Sequence, residues 1–176
     1  VSIENSVRRA HEEVFDFTEM KRIVRYAREQ GMGLHLDGAR LYMDSAYSGV
    51  SIETYAALFD TVYISLYKYL GAGGGAILCG SEEVIGRMPH LIKIYGGNMY
   101  QNWQHAAVAL HVLDGFEARF ARAKQKADDL FGRLNRLDGI SVTPFQHGSN
   151  VFRLSVSRVN IDRFRKVLEE EFGIIL

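Results

Sequence analysis

The sequence predicts an α/β fold with a mostly parallel sheet, one antiparallel strand, and a smaller C-terminal α/β domain. Three observations carry this. Strand-like apolar runs alternate with amphipathic helical stretches through the first half, the pattern of parallel strands joined by helical crossovers. The link from Tyr67 to Ala76 is too short for the dozen or so residues a crossover needs, so the strand after it runs antiparallel or lies elsewhere in the sheet. Beyond Ser81 the character changes to helices, then a strand pair and a final helix.

Each element has its own justification. Val1–Glu4 reads as a strand. Asp16 is placed to cap a helix, with Glu19 three residues on and Phe15 and Met20 where a hydrophobic staple would close. Phe17, Met20, Val24 and Ala27 recur at helical spacing, and Gly31 stops the helix. Met32–Asp37 is a buried strand, followed by the loop Gly38-Ala39-Arg40 and a polar stretch. Ser51 caps a second helix over Ile52–Phe59. Thr61–Tyr67 is β-branched and aromatic, hence a strand. Lys68 and the turn Gly71-Ala72-Gly73-Gly74-Gly75 lead to the strand Ala76–Cys79. Next come a helix over Glu82–Tyr95 interrupted by Pro89, and helices over Met99–Leu113 and Glu117–Leu137. Strands at Ile140–Thr143 and Asn150–Val156 and a helix at Ile161–Phe172, capped by Asn160, complete the pattern. Gly173–Leu176 reads as the start of a further apolar strand. The expected division is a large unit over 1–97, a linking helix over 98–116 and a small unit over 117–176. Both ends fall inside strand-like runs, which suggests a piece of a longer protein; buried terminal strands are the alternative.

Composition removes several functions. The 176 residues carry 21 Lys+Arg against 21 Asp+Glu, and a neutral chain lacks the basic excess that nucleic-acid backbones require. A single cysteine, Cys79, excludes internal disulfides and multi-cysteine zinc sites and fits a reducing, cytoplasmic setting. No apolar run is long enough to span a membrane, so neither nucleic acid nor membrane is expected as a partner.

Three features could carry chemistry. In His35-Leu36-Asp37-Gly38-Ala39-Arg40, alternation puts His35 and Asp37 on one strand face, and Asp37 falls at the strand's carboxyl end, where open α/β sheets bind ligands. Taken alone, a turn aspartate beside a surface arginine explains this as well. Lys68 follows the next parallel strand between Tyr67 and Tyr69. A lysine there usually snorkels to water, whereas a desolvated one becomes an amine nucleophile. The glycine turn formally matches GxGxxA but precedes a strand instead of opening a helix, so it is no dinucleotide loop. It leaves either a close backbone approach or a flexible turn. Asp37 and Lys68 lie 31 residues apart, about one strand–helix–strand unit. A carboxylate and a lysine converging at one sheet edge suit pyridoxal phosphate, whose aldehyde takes the amine and whose pyridine nitrogen takes the carboxylate.

The segment LHLDGARLY, Leu34–Tyr42, resembles the HLDGAR signature of the threonine aldolase / β-eliminating lyase family of fold-type-I pyridoxal-phosphate enzymes. In the same order come IEN at Ile3–Asn5, SLYKYLGAGGGAILCGS at Ser65–Ser81 and IYGGNMYQ at Ile94–Gln101. The resemblance implies Asp37 as the pyridinium partner, Lys68 as the Schiff-base lysine, and Arg40 beside the cofactor, holding the substrate carboxylate. His35 is then a supporting or packing residue. Where the family has Ser-Lys-Gly-Leu-Gly-Ala-Pro, this chain places Tyr67 and Tyr69 around the lysine and Gly73 at the proline. Tyr100 stands where an arginine is common before Gln101, and Arg8 and Arg9 read as surface charges. The family's phosphate-binding loop and its later carboxylate-gripping arginine have no counterpart in these residues.

The resemblance implies a lyase cleaving Cα–Cβ of β-hydroxy-α-amino acids to glycine and an aldehyde, with an amino-acid substrate and a dimeric or tetrameric homo-oligomer. β-Elimination on another amino acid, or a non-catalytic relative of the fold, are the other readings.

Overall fold

The computed structural model describes residues 1–175. Strands β1 (Ser2–Glu4), β2 (His35–Asp37), β3 (Thr61–Ser65) and β4 (Ala76–Gly80) form one sheet in chain order. β1, β2 and β3 are parallel, and β4 pairs antiparallel with β3, as the short connection requires. The helix crossing from β1 to β2 is α1 (Phe17–Glu29), and α2 (Leu41–Ser48) with α3 (Ile52–Ala56) crosses from β2 to β3.

The helix ends form as their sequences dictate. The Glu19 N–H donates to Asp16 Oδ1 at 2.8 Å, and the Thr54 N–H donates to the Ser51 hydroxyl at 3.2 Å. Ile3, Leu36 and Val62 are register partners across β1, β2 and β3, making an apolar row on one sheet face. Onto it pack Met20, Val24 and Ala27 of α1, with Leu41, Tyr55 and Phe59. The opposite face carries a second row: Glu4, Asp37, Tyr63 and Leu78. Its edge, β4, is exposed along its whole length.

Beyond the sheet lie α4 (Glu82–Ile85), α5 (Met88–Ile94), α6 (Trp103–Leu113) and α7 (Phe116–Leu134). A second core joins α6 and α7 to the glycine turn: Leu66, Leu70, Ala72, Ala109 and Phe116, with Tyr42 and Tyr69 against them. The chain closes with the antiparallel pair β5 (Ile140–Pro144) and β6 (Phe152–Val156), then α8 (Ile161–Phe172), where Asn160 caps the Arg163 N–H.

Several details differ from the sequence reading, among them a β2 that starts only at His35, because Met32 and Gly33 are exposed. The stretch after Arg40 is the helix α2, because Leu41 and Met43 bury while Gly49 ends the helix in the left-handed region at φ 72°. β3 stops at Ser65, so Lys68 lies three residues past the strand in a bend. Pro89 does not interrupt a helix; the break falls at Gly86–Arg87 and the proline sits in the first turn of α5, which tolerates it. Gly173–Ile175 forms no strand, and Leu176 lies outside the described residues.

Leu36 is fully buried at the centre of the apolar row. Leu36→Ala is expected to cost about 2–5 kcal/mol in urea unfolding of the full-length protein. A cost below about 1 kcal/mol would mean that β2 is not central to the core.

Candidate functional site

Local folding puts the DGAR segment where it can act. A Cβ on Gly38 would stand 3.1 Å from the Tyr63 carbonyl oxygen and 3.2 Å from Leu41 Cβ, so glycine lets the turn pass this close to β3 without displacing either neighbour. Asp37 Oδ1 accepts the Ala39 N–H at 3.2 Å, and the Ser65 hydroxyl donates to the Ala39 carbonyl at 2.9 Å. The Asp37 carbonyl accepts the Asn5 N–H at 2.9 Å, tying the end of β1 to the same turn. Asp37 is thereby held, half-buried, at the carboxyl end of β2.

Tyr63 stands beside Asp37 on the adjacent strand. Burial pushes its phenol up to about 12, helped by contact with the Tyr67 hydroxyl and by the nearby Asp37 charge. Lys68 is exposed, with its Nζ 5.8 Å from the Tyr67 ring centroid. Asp37 neighbours Tyr63, Tyr63 contacts Tyr67, and Tyr67 neighbours Lys68. Tyr63 and Leu78 also form the floor of an open apolar groove of ≈ 730 Å³, walled by Leu91, Ile92, Tyr95 and Met99. His35 Nδ1 lies 2.8 Å from Thr61 Oγ1 on the neighbouring strand. The glycine turn is a close approach: a Cβ on Gly73 would lie 3.3 Å from His105 Cε1 of α6. Arg8 and Arg9 are exposed.

Arg40 takes a position that the sequence reading did not foresee. Its Nε lies 2.9 Å from Glu12 Oε2, with both side chains nearly buried. Its Nη1 faces the Ser6 carbonyl at 3.4 Å, and the half-buried Tyr69 phenol lies beside it, pushed up chiefly by burial. The Ser6 hydroxyl donates to the same Glu12 oxygen at 3.3 Å. His11 and Glu12, neither of them glycine, both occupy the left-handed region at φ 57° and 56°. Such residues cost roughly 1–2 kcal/mol each, so something must hold them. The holding contacts are a 4.3 Å stack of His11 on Phe145, the Ser149 hydroxyl donating to the Glu12 carbonyl, and the Arg40 pair itself.

Behind Arg40 lies Asp44, fully buried one helical turn along α2. Its carboxyl lies near Ser6, yet among the described residues neither oxygen makes a well-aligned hydrogen bond. Burial raises it to about 7, against partial relief from Ser6 and the Arg40 charge; Glu12 pushes it further up. No sequence pattern marks Glu12, which reaches Arg40 only through the fold. Asp44 does carry a signal, since the i, i+4 spacing from Arg40 puts both on one helix face. Among the described residues no group of three or more His, Cys, Asp or Glu could hold a metal ion, and no helix is long and apolar enough to cross a membrane.

The profile of the beta-eliminating lyase family matches residues 1–156. The chain belongs to that family. Within it, a low-specificity L-threonine aldolase of Candida albicans is 38% identical over 114 residues, covering 65% of this chain and 30% of that protein. Low-specificity L-threonine aldolase 1 of Arabidopsis thaliana is 32% identical over 164 residues, 92% of this chain and 45% of the relative. A solved structure from Listeria monocytogenes, assigned as an L-allo-threonine aldolase, superposes with a TM-score of 0.83 at 29% identity, over 100% of this chain and 50% of that one. This chain therefore spans less than half the length of those two curated relatives. The architecture is part of a fold-type-I α/β fold, as the sequence reading expected.

Asp44 also sets a pH dependence. Its folded pKa lies above its ordinary value near 3.8, so its contribution favours the fold fully below that value and is lost as pH rises through about 7. Asp44→Asn keeps the shape and removes the charge. At pH 8 it is expected to stabilise the protein by on the order of 2–4 kcal/mol, and at pH 4 hardly at all. Thermal melts at the two pH values check this. An Asn variant that is equally or less stable at pH 8 contradicts the raised pKa of the buried Asp44.

Proposed function

We propose that the full-length protein is a pyridoxal-phosphate-dependent lyase that cleaves Cα–Cβ of β-hydroxy-α-amino acids to glycine and an aldehyde. The observation that carries this reading is the sheet edge where Asp37, Tyr63, Tyr67 and Lys68 follow one another. The printed activities of the fungal and plant relatives support the reaction class. A carboxylate at a strand end and an accessible amine beyond the next strand suit the ring of that cofactor. Bound there, pyridoxal phosphate supplies an aldehyde that condenses with amines and a protonated ring that draws electrons away from the substrate Cα.

In this reading each residue has a defined task. Asp37, oriented by the Ala39 N–H, holds a proton on the ring nitrogen as its counterion. Lys68 supplies the amine, and its accessibility lets a substrate amine exchange with it. Arg40 orients the substrate carboxylate. Tyr67 beside the lysine and Tyr69 beside Arg40 place two phenols in the site, narrowing the space for the substrate side chain. The exposed aromatic stretch Tyr95, Tyr100 and Trp103 supports assembly as a homo-oligomer, and the single exposed cysteine, Cys79, supports a cytoplasmic location.

With pyridoxal phosphate added, the full-length protein should show an absorbance band at the edge of the visible that Lys68→Ala abolishes. L-threonine should then yield glycine and acetaldehyde, with the turnover of the Lys68→Ala variant reduced at least about a thousandfold. No band in the wild type sinks the enzyme reading. A keto acid formed from serine-like substrates, without aldehyde, would replace aldol cleavage by β-elimination.

A further inference from the structure

Arg40 does not wait with an empty guanidinium. Glu12 presents a carboxylate oxygen 2.9 Å from Nε, and that oxygen also accepts from Ser6, while Nη1 is turned to the Ser6 carbonyl. A substrate α-carboxylate is the same chemical group asking for the same donors. Both cannot take the Nε contact at once. Resting on the function proposed above, we infer that Glu12 is an internal competitor for the substrate carboxylate at Arg40, and that a ligand binds there by displacing it.

Its attachment says what displacement involves. Glu12 belongs to no helix or strand; it follows a 3-10 turn at Arg8–Ala10 in the strained left-handed conformation. The anchors of its segment come from the loop joining β5 to β6. Val14 N–H donates to the His147 carbonyl at 2.8 Å, and His147 N–H donates to Glu13 Oε2 at 3.4 Å. Ser149 donates to the Glu12 carbonyl and Phe145 stacks on His11. Moving the Glu12 side chain off Arg40 removes one of the contacts that hold the strained pair, so carboxylate binding and the hold on residues 145–149 oppose each other. Glu12 thus sets how tightly a carboxylate must bind before it wins, and with it the apparent affinity for the substrate.

Glycine, the simplest amino acid, is the probe. It is titrated calorimetrically into full-length protein loaded with pyridoxal phosphate, as wild type, Glu12→Gln, Arg40→Lys and the double variant. Glu12→Gln is expected to bind glycine about tenfold tighter, as loss of one charge-assisted partner predicts, and the gain should vanish in the double variant. The KM for L-threonine should fall in step. In the wild type, saturating glycine should speed amide exchange across residues 145–149, a readout that needs no variant to fold. A folded Glu12→Gln protein that binds glycine no better than wild type overturns the proposal, as does unchanged exchange in 145–149 or no glycine binding by either protein. Tighter glycine binding without threonine cleavage would instead leave Glu12 its role and remove the aldolase reading.

Discussion

The turn between β2 and α2 passes so close to β3 that a Cβ on Gly38 would stand 3.1 Å from the Tyr63 carbonyl oxygen and 3.2 Å from Leu41, tight enough that a neighbour would have to yield. The rest of the candidate site depends on this approach. With the backbone pressed onto β3, Ser65 reaches the Ala39 carbonyl, Ala39 reaches back to Asp37, and α2 begins at Leu41 with its axis already set. Asp37 therefore faces the Tyr63 side of the sheet, while Arg40, three residues on, points toward the turn after β1. A bulkier residue at position 38 would press on Tyr63 and Leu41 and strain the start of α2, which carries Arg40 and Asp44. One glycine thus couples the core to both ends of the site.

That coupling concentrates charge. Arg40, at the start of α2, has two carboxylates within its influence, Glu12 in direct contact and Asp44 buried deeper in α2. A single guanidinium cannot compensate both in a low-dielectric setting. Glu12, close and partly reached by solvent, wins the contact. Asp44 is left with little beyond Ser6, so a proton becomes its cheapest partner near neutral pH. The two groups are consequently linked: whatever draws Glu12 away frees Arg40 to stabilise an ionised Asp44 unless another carboxylate takes its place.

The sequence made the sheet legible because its signals are local. The spacing of Met20, Val24 and Ala27, the caps at Asp16, Ser51 and Asn160, and the shortness of the Tyr67–Ala76 link each act within a few residues. The helix α2 is hard to read because Tyr42 to Ser48 carry no clean apolar stripe, and part of its packing comes from α7, far along the chain. Lys68 reads as the end of a strand, yet Leu66 turns inward to the second core and ends β3 early, putting the lysine in a bend. The Arg40–Glu12 contact was beyond reach for the same reason. Its partners are 28 residues apart, and what positions Glu12 is a loop more than 130 residues further along, Ser149 and His147 among its members.

This long-range hold changes how Arg40 should be understood. In an arginine open to solvent, a carboxylate ligand competes only with water, and the affinity reflects the pair alone. Here the competitor is covalently part of the chain, so its effective concentration at Arg40 stays high whatever the solution contains. The competition is therefore decided by backbone strain and by the grip of the β5–β6 loop, both properties of the fold. An exposed surface ion pair could not do this, because salt would screen it and side-chain freedom would dilute it. A nearly buried pair mounted on a strained turn keeps its geometry, which makes the turn between β1 and α1, and not the signature segment alone, part of what determines the ligand the site will take.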